Sequence, residues 1–318
     1  MPVNPPRVLT NRSWPIAAAM LPFPGTLPDG SSVQDQSAEG WAETLGEVVR
    51  EGFEHVDPTD TWLRIGDLSA SRRQELRDVV DAVGLSVPAV STSRRSVIDP
   101  AFGDENLAYS HRVIDAAVEV GASLVSVGLF EAFSPAQAEA LWFWTAPGPR
   151  NPDDPEVWAR AVARIRELGT HAQEVGIELS LEMYEDTYLG AADDAVRFVT
   201  DVDHPAVGLN PDLGNLVRLH RPVESWESMA AKTLPYANYW HVKNYFRSED
   251  ATTGQVASSP APLELGVINY RKAVRMAVDA GFRGVFLTEH YGGDGLGVCA
   301  TNREYLRRVL PPSTPVAG

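Results

Sequence analysis

The 318-residue sequence has almost no cysteine. Cys299 stands alone, which excludes an intramolecular disulfide and fits a reducing compartment. Long apolar runs are also missing. No stretch approaches the roughly 20 apolar residues needed to cross a bilayer, and the opening Met1-Pro-Val-Asn-Pro-Pro-Arg7 carries no apolar signal core. The expectation is a cytoplasmic protein with no membrane partner. Positive charge is scarce: 27 Lys and Arg stand against 43 Asp and Glu, a formal net charge of −16. Such a surface repels phosphate backbones and argues against a nucleic-acid partner. With 44% hydrophobic and 22% charged residues, the composition is that of an ordinary globular protein.

What the chain does have is a repeated alternation. Short apolar runs at Trp14–Leu21, Phe53–Val56, Ser86–Thr92 and Ser123–Leu129 are separated by amphipathic stretches at Glu39–Glu51, Ser71–Val83 and Asn106–Val120. Four more runs end at Glu182, Asp212, His241 and Glu289, with helical stretches at Pro155–Val175, Asp193–Val202, Glu224–Lys232, Asn269–Ala280 and Asn302–Val309. Connections this long imply parallel strands and right-handed crossovers, and eight such units favour a closed (β/α)8 barrel of the TIM type. Gly121, Gly176 and Gly281 sit where helix C-caps belong. The expected organisation is an arm at 1–13, one barrel domain at 14–310 and a loose tail at 311–318. The pattern breaks at an aromatic insertion after strand 4, Phe130–Asp154, and at a long polar loop after strand 7, Asn244–Glu264.

Glu182, Asp212, His241 and Glu289 each stand at the C-terminal end of a strand, where barrel chemistry is assembled. One such carboxylate is commonly a helix N-cap or salt-bridge partner, and a lone histidine is commonly a satisfied core residue. Four on successive strand ends point instead to a shared site. Carboxylates with one imidazole form a hard donor set suited to Mn2+, Mg2+ or Co2+ rather than to a structural zinc. Such a cation leaves positions for substrate oxygens and acidifies a C–H or O–H beside a carbonyl.

The motifs Leu181-Glu182-Met183, Asp212-Leu213-Gly214-Asn215, His241-Val242-Lys243-Asn244 and Thr288-Glu289 resemble those of the sugar isomerase/epimerase superfamily with a xylose-isomerase-like barrel. Ketose 3-epimerases and inositol-catabolism isomerases and dehydratases are among its members. The resemblance implies one divalent cation, most often Mn2+, held by Glu182, Asp212, His241 and Glu289. It further implies that Glu182 and Glu289 are the catalytic acid–base pair.

Further positions carry weaker expectations. Arg247 lies six residues after His241, where epimerases of this kind place a substrate-holding arginine; a solvated loop arginine is the alternative. Lys243 fits the common His-x-Lys-Asp pattern, from which Asn244 departs. Asp57 is a candidate acidic substrate contact or helix N-cap. Asn215 stands where epimerases often carry a substrate-contacting histidine. Trp142 and Trp144 offer a stacking platform for substrate, a contact for a second subunit or homo-oligomer, or a lid anchor. His290 lines the pocket or caps a helix. The Gly292–Gly297 run and Arg94-Arg95 are candidate anion contacts, with an ordinary loop and a surface pair as the alternatives. His111, His171 and His204 read as structural.

Three further functions compete with a sugar or polyol isomerase or epimerase. A lyase or dehydratase would use the same metal and base to eliminate a group β to a 3-keto function, as C-glycoside deglycosidases and inosose dehydratases do. An abasic-site endonuclease would need a histidine-rich trinuclear site and a basic groove. A non-catalytic binding barrel would not need an intact metal quartet.

Overall fold

The computed structural model describes residues 8–316. Eight parallel strands form the barrel: β1 Ile16–Ala19, β2 His55–Asp57, β3 Val90–Ser91, β4 Leu124–Val127, β5 Glu178–Glu182, β6 Val207–Asn210, β7 Tyr239–Val242 and β8 Val285–Thr288. Each is followed by a helix: α1 Ala38–Arg50, α2 Ala70–Ala82, α3 Gly103–Glu119, α4 Pro155–Glu174, α5 Ala192–Val202, α6 Trp226–Thr233, α7 Tyr270–Asp279 and α8 Gly295–Val309. Pairing runs around the ring, with single bridges His55↔Ser86 and Leu209↔Ala237 joining two four-stranded arcs and β8 closing onto β1.

Alternation along the strands separates two cores. Ala17, Ala19, Ala89, Leu124, Tyr239 and Leu287 pack inside the barrel, where alanines on β1 leave room for the Tyr239 ring. Ile16, Ala18, Val56, Trp240 and Phe286 face the helices. Several helices begin at side-chain caps, among them Ser37, Ser69 and Asp154. Gly121, Gly176 and Gly281 follow α3, α4 and α7 with φ of 89°, 82° and 99°, the left-handed turn a Cβ would strain.

Several expectations are corrected. The polar segment after β7 is a hairpin, Asn244–Glu249 paired with Val256–Ala261, rather than a loop; its alternation was hidden by an exposed, polar outer face. The last helix begins at Gly295, seven residues before Asn302, because Asp294 caps it through Gly297 N at 2.9 Å and glycines occupy its first turn. The Gly292–Gly297 run is therefore half helix. Residues 8–13 and 311–316 are not simply an arm and a loose tail: Val8–Leu9 pairs antiparallel with Thr314–Pro315, and Leu9 and Thr314 are buried. The remainder of those two expected segments, 1–7 and 317–318, lies outside the described residues.

Gly284 marks the tightest packing at the foot of β8. A Cβ there would lie 2.0 Å from the Asn238 carbonyl oxygen, and its own carbonyl accepts the Trp14 indole N–H at 2.8 Å. Gly284→Ala should lower stability by about 1–3 kcal/mol, the range for overpacking. Urea unfolding checks this; an unchanged midpoint would contradict the tight β7–β8 approach.

Candidate metal centre

The barrel's C-terminal mouth brings all four expected side chains together. Glu182 ends β5, Asp212 follows β6 by two residues, His241 lies in β7 and Glu289 follows β8 directly. Ligand atoms of Glu182, Asp212 and His241 lie within 4.8 Å of one another. His241 Nδ1 is 3.0 Å from Glu289 Oε1, 3.8 Å from Glu182 Oε1 and 3.9 Å from Asp212 Oδ2. All four side chains are buried.

The imidazole is set for this role from behind. Tyr239 OH and Ser91 Oγ each donate to Asp57 Oδ2 at 2.7 Å, and Ser91 N donates to Asp57 Oδ1 at 2.9 Å. Because its proton goes to Asp57, the Ser91 oxygen, 3.2 Å from His241 Nε2, can only accept. Nε2 therefore carries the hydrogen, and Nδ1 faces the carboxylates. Among the described residues that nitrogen has no well-aligned hydrogen-bond partner.

Charge is the second half of the fit. Lys243 Nζ sits between Asp212 Oδ2, at 2.5 Å, and Glu289 Oε2. One ammonium against three carboxylates leaves two negative charges, which a divalent cation beside Nδ1 would balance. Without a cation the strain shows in the proton affinities. Burial pushes Glu182 up to about 7, against the pull of His241 and Lys243. Burial likewise raises Asp212. Burial disfavours a charged His241, but Glu289 and Glu182 outweigh it and lift the imidazole to about 9. Burial also disfavours ionised Glu289, yet Lys243 and His241 hold it well below the usual carboxylate range. The donor set thus fits a hard divalent cation, with Glu182, Asp212, His241 and Glu289 to hold it.

The other expected residues fall in different places. Asp57 is fully buried behind Ser91 and does not reach the cleft. Asn215 gives its Nδ2 to Glu182 Oε1 and Met183 O, both at 2.9 Å, so it aims a ligand rather than touching substrate space. Asn244 ties the hairpin ends together through Leu263 O at 2.8 Å and Ile268 O at 2.9 Å. Arg247 clamps the hairpin to the 217–221 segment through the carbonyls of Val217, Leu219 and Arg221 and is outside the cleft lining. His290 is half-buried outside the cleft lining.

Trp142 and Trp144 stack with centroids 5.1 Å apart, and Trp144 is buried, donating to Ser258 Oγ at 3.2 Å. The insertion therefore folds back over the mouth onto the hairpin and Tyr291. Arg94 lines the cleft and donates to Tyr184 OH at 2.7 Å, whereas Arg95 lies over the Tyr109 ring.

Sequence reasoning passed over Arg218, Glu185, Tyr184 and Tyr291. Arg218 is fully buried, forks onto both oxygens of Glu185 at 2.8 Å and lies among the rings of Phe143, Trp144 and Tyr184. Its signal was a charge inside the apolar run Leu216-Val217-Arg218-Leu219. Tyr184 and Tyr291 line the cleft beside the glutamates.

The charge balance makes a test. Lys243→Met leaves Asp212 and Glu289 without their ammonium, and should destabilise the metal-free protein by about 3–5 kcal/mol, the cost of breaking a buried pair. Thermal unfolding with and without MgCl2 should show Mg2+ recovering more stability in the variant than in the parent. Equal metal-free stability of the two proteins would contradict this account.

Residues 45–309 match the family model described as "Xylose isomerase-like TIM barrel". A xylose isomerase-like TIM barrel protein from Mycobacterium smegmatis, solved in complex with magnesium, is 50% identical over 95% of this chain and 98% of its own, with a TM-score of 0.91. The fold is shared with D-allulose 3-epimerase from Methylomonas sp., at 15% identity, 96% and 99% coverage and TM-score 0.67. It is also shared with the probable 3-DHS dehydratase from Bacillus anthracis, at 14% identity, 92% and 98% coverage and TM-score 0.59. No match was found among curated protein sequences. With its eight strand–helix units and its mouth cluster of acids and one histidine, the chain belongs to the xylose isomerase-like TIM-barrel family.

Proposed function

We propose that the protein is a divalent-metal-dependent isomerase or epimerase of a sugar or polyol, working by proton transfer at the carbon beside a carbonyl. The observation that carries this reading is a division within the quartet. Glu182 and Glu289 line the cleft together with His241, whereas Asp212 is fully buried and does not. Two carboxylates open to substrate and a third held back as a ligand is the arrangement a two-base proton transfer needs. The magnesium in the 50% identical M. smegmatis protein supports a cation at the mouth, with Mn2+, Mg2+ or Co2+ suited to the donors.

A bound dication would polarise the substrate carbonyl and acidify the neighbouring C–H. Glu182 is held at Oε1 by Asn215, which fixes on the cleft wall the carboxylate that takes and returns the proton. Glu289, paired with Lys243 and His241, is the second carboxylate of the cleft wall and the partner base of the relay. Thr59 and Thr61 stand on the cleft wall and supply hydroxyls to substrate oxygens. The cleft is only about 50 Å3, far below the roughly 300 Å3 or more of a typical small-molecule site. In this reading the Trp142–Trp144 insertion shifts to admit a sugar.

Elimination is the second reading, and one observation favours it. Asn215 is committed to Glu182 and Met183, so the substrate contact that epimerases often place there is missing. The same base would then take the proton α to a keto function, and the electron pair left on that carbon would form the C=C bond as the β group departs with its own pair.

A panel of ketoses and keto-glycosides, assayed in D2O with and without Mn2+, tests both. Metal-dependent deuterium uptake without loss of a group supports isomerisation or epimerisation; release of a leaving group supports elimination. Glu182→Gln and Glu289→Gln should each lower kcat by about 100-fold or more, the scale of a lost general acid–base group, while the barrel stays folded. His241→Ala should chiefly weaken metal binding. Near-normal turnover in either glutamine variant with metal bound would sink the two-glutamate relay.

A further inference from the structure

On the outer helical layer, His111 of α3 and His171 of α4 meet with their Nδ1 atoms 2.8 Å apart and their ring centroids 5.0 Å apart. Each ring's other nitrogen is engaged by a carboxylate of the opposite helix. His111 Nε2 is 2.9 Å from Glu167 Oε1, and His171 Nε2 is 3.0 Å from Asp115 Oδ1. His111 and Asp115 are one helical turn apart on α3, as Glu167 and His171 are on α4, so the four alternate across the seam.

Counting protons shows what this arrangement asks for. The carboxylates accept, so both Nε2 atoms must carry hydrogen. Two neutral imidazoles bring two hydrogens in all, which leaves two bare Nδ1 lone pairs facing each other. A positive centre between them satisfies every contact. Two imidazole nitrogens converging, each with its far N–H fixed by a carboxylate, is the orientation that metal-bound histidines adopt.

We propose that His111 and His171 form a second metal site, for a borderline divalent transition ion of the zinc class, ligated by the two Nδ1 atoms and water. Glu167 and Asp115 fix the tautomers rather than ligate. The side chains of His111 and His171 are 30% and 22% exposed, so water can complete the coordination. Tetrahedral zinc with Zn–N bonds of about 2.0–2.1 Å sets its nitrogens about 3.3 Å apart, which the rings reach by opening about 0.5 Å. Imidazole pairs favour zinc, copper and nickel over magnesium, so this site differs in selectivity from the oxygen-rich mouth. An ion there would also link α3 to α4.

Calorimetric titration of the whole protein with Zn2+ tests the site. The parent should take up one zinc ion per chain more than His111→Asn/His171→Asn, while titration with Mg2+ is the same for both. Asp115→Asn keeps both ligands and loses only the tautomer anchor; it should bind that extra ion about 10–100-fold more weakly, the usual effect of removing an outer partner. Zn2+ should raise the unfolding temperature of the parent by more than that of the double variant. Equal zinc stoichiometry in parent and double variant would overturn the site. So would undiminished affinity in Asp115→Asn. Uptake of no extra ion by the parent would leave a shared proton as the account of the contact.

Discussion

Three carboxylates buried around one imidazole nitrogen are the constraint on which the barrel mouth depends. Carboxylates in a low-dielectric interior must be protonated, paired or bound to a cation. Every neighbour is arranged accordingly. Lys243 reaches Asp212 and Glu289 over Gly214, where a Cβ would meet its Cγ at 2.4 Å. Asn215 fixes Glu182, and the Asp57–Ser91 chain turns Nδ1 of His241 toward the acids. The result is a net negative pocket with its lone pairs already aimed, so a cation would meet little reorganisation.

Above that pocket the polypeptide builds a cover from its two irregular segments. Phe143 and Trp144 of the insertion pack against Tyr291, while Trp144 also meets Tyr245 of the hairpin. A buried cation, Arg218, joins this cover to the barrel, its charge balanced by Glu185 and surrounded by aromatic faces. Arg247 holds the hairpin to the same 217–221 segment. The insertion and the hairpin are thus parts of one structure, joined through Arg218 and Trp144.

The strand–helix alternation was legible because buried parallel strands and amphipathic helices write strong periodic signals; seven of the eight helices begin within about three residues of the expected position. Segments whose structure comes from pairing or capping were less legible. The hairpin after β7 has a polar exposed face, and the first turn of α8 is built on glycines. At the site, residue type and strand position pointed to the quartet, but the supporting residues were invisible as such. Ser91, Tyr239 and Arg218 act through contacts that span 34, 182 and 33 positions, beyond any local pattern. Asp57 illustrates the limit: its place at a strand end was readable, its orientation toward Ser91 and Tyr239 was not.

The two departures from the superfamily motif have consequences in the geometry. Asn244 closes the hairpin through two carbonyls, a bond set that an aspartate, lacking N–H groups, could not supply. Asn215 donates to Glu182, where a carboxylate acceptor requires a donor in a buried setting. Asn215 is thereby turned away from substrate space, and with Arg247 and Asp57 also committed elsewhere, three of the expected contacts are engaged within the protein. Under the proposed function, substrate choice would rest on what faces the cleft: the Thr59 and Thr61 hydroxyls, Arg94, and the Tyr184 and Tyr291 rings. That wall combines a cation, hydroxyls and aromatic faces, a surface suited to a polyhydroxylated ring bearing a polar or anionic substituent. In the proposed reaction the cluster of acids and His241 would define which bond is weakened, whereas this wall, held in place by the aromatic cover, would define which molecule presents it.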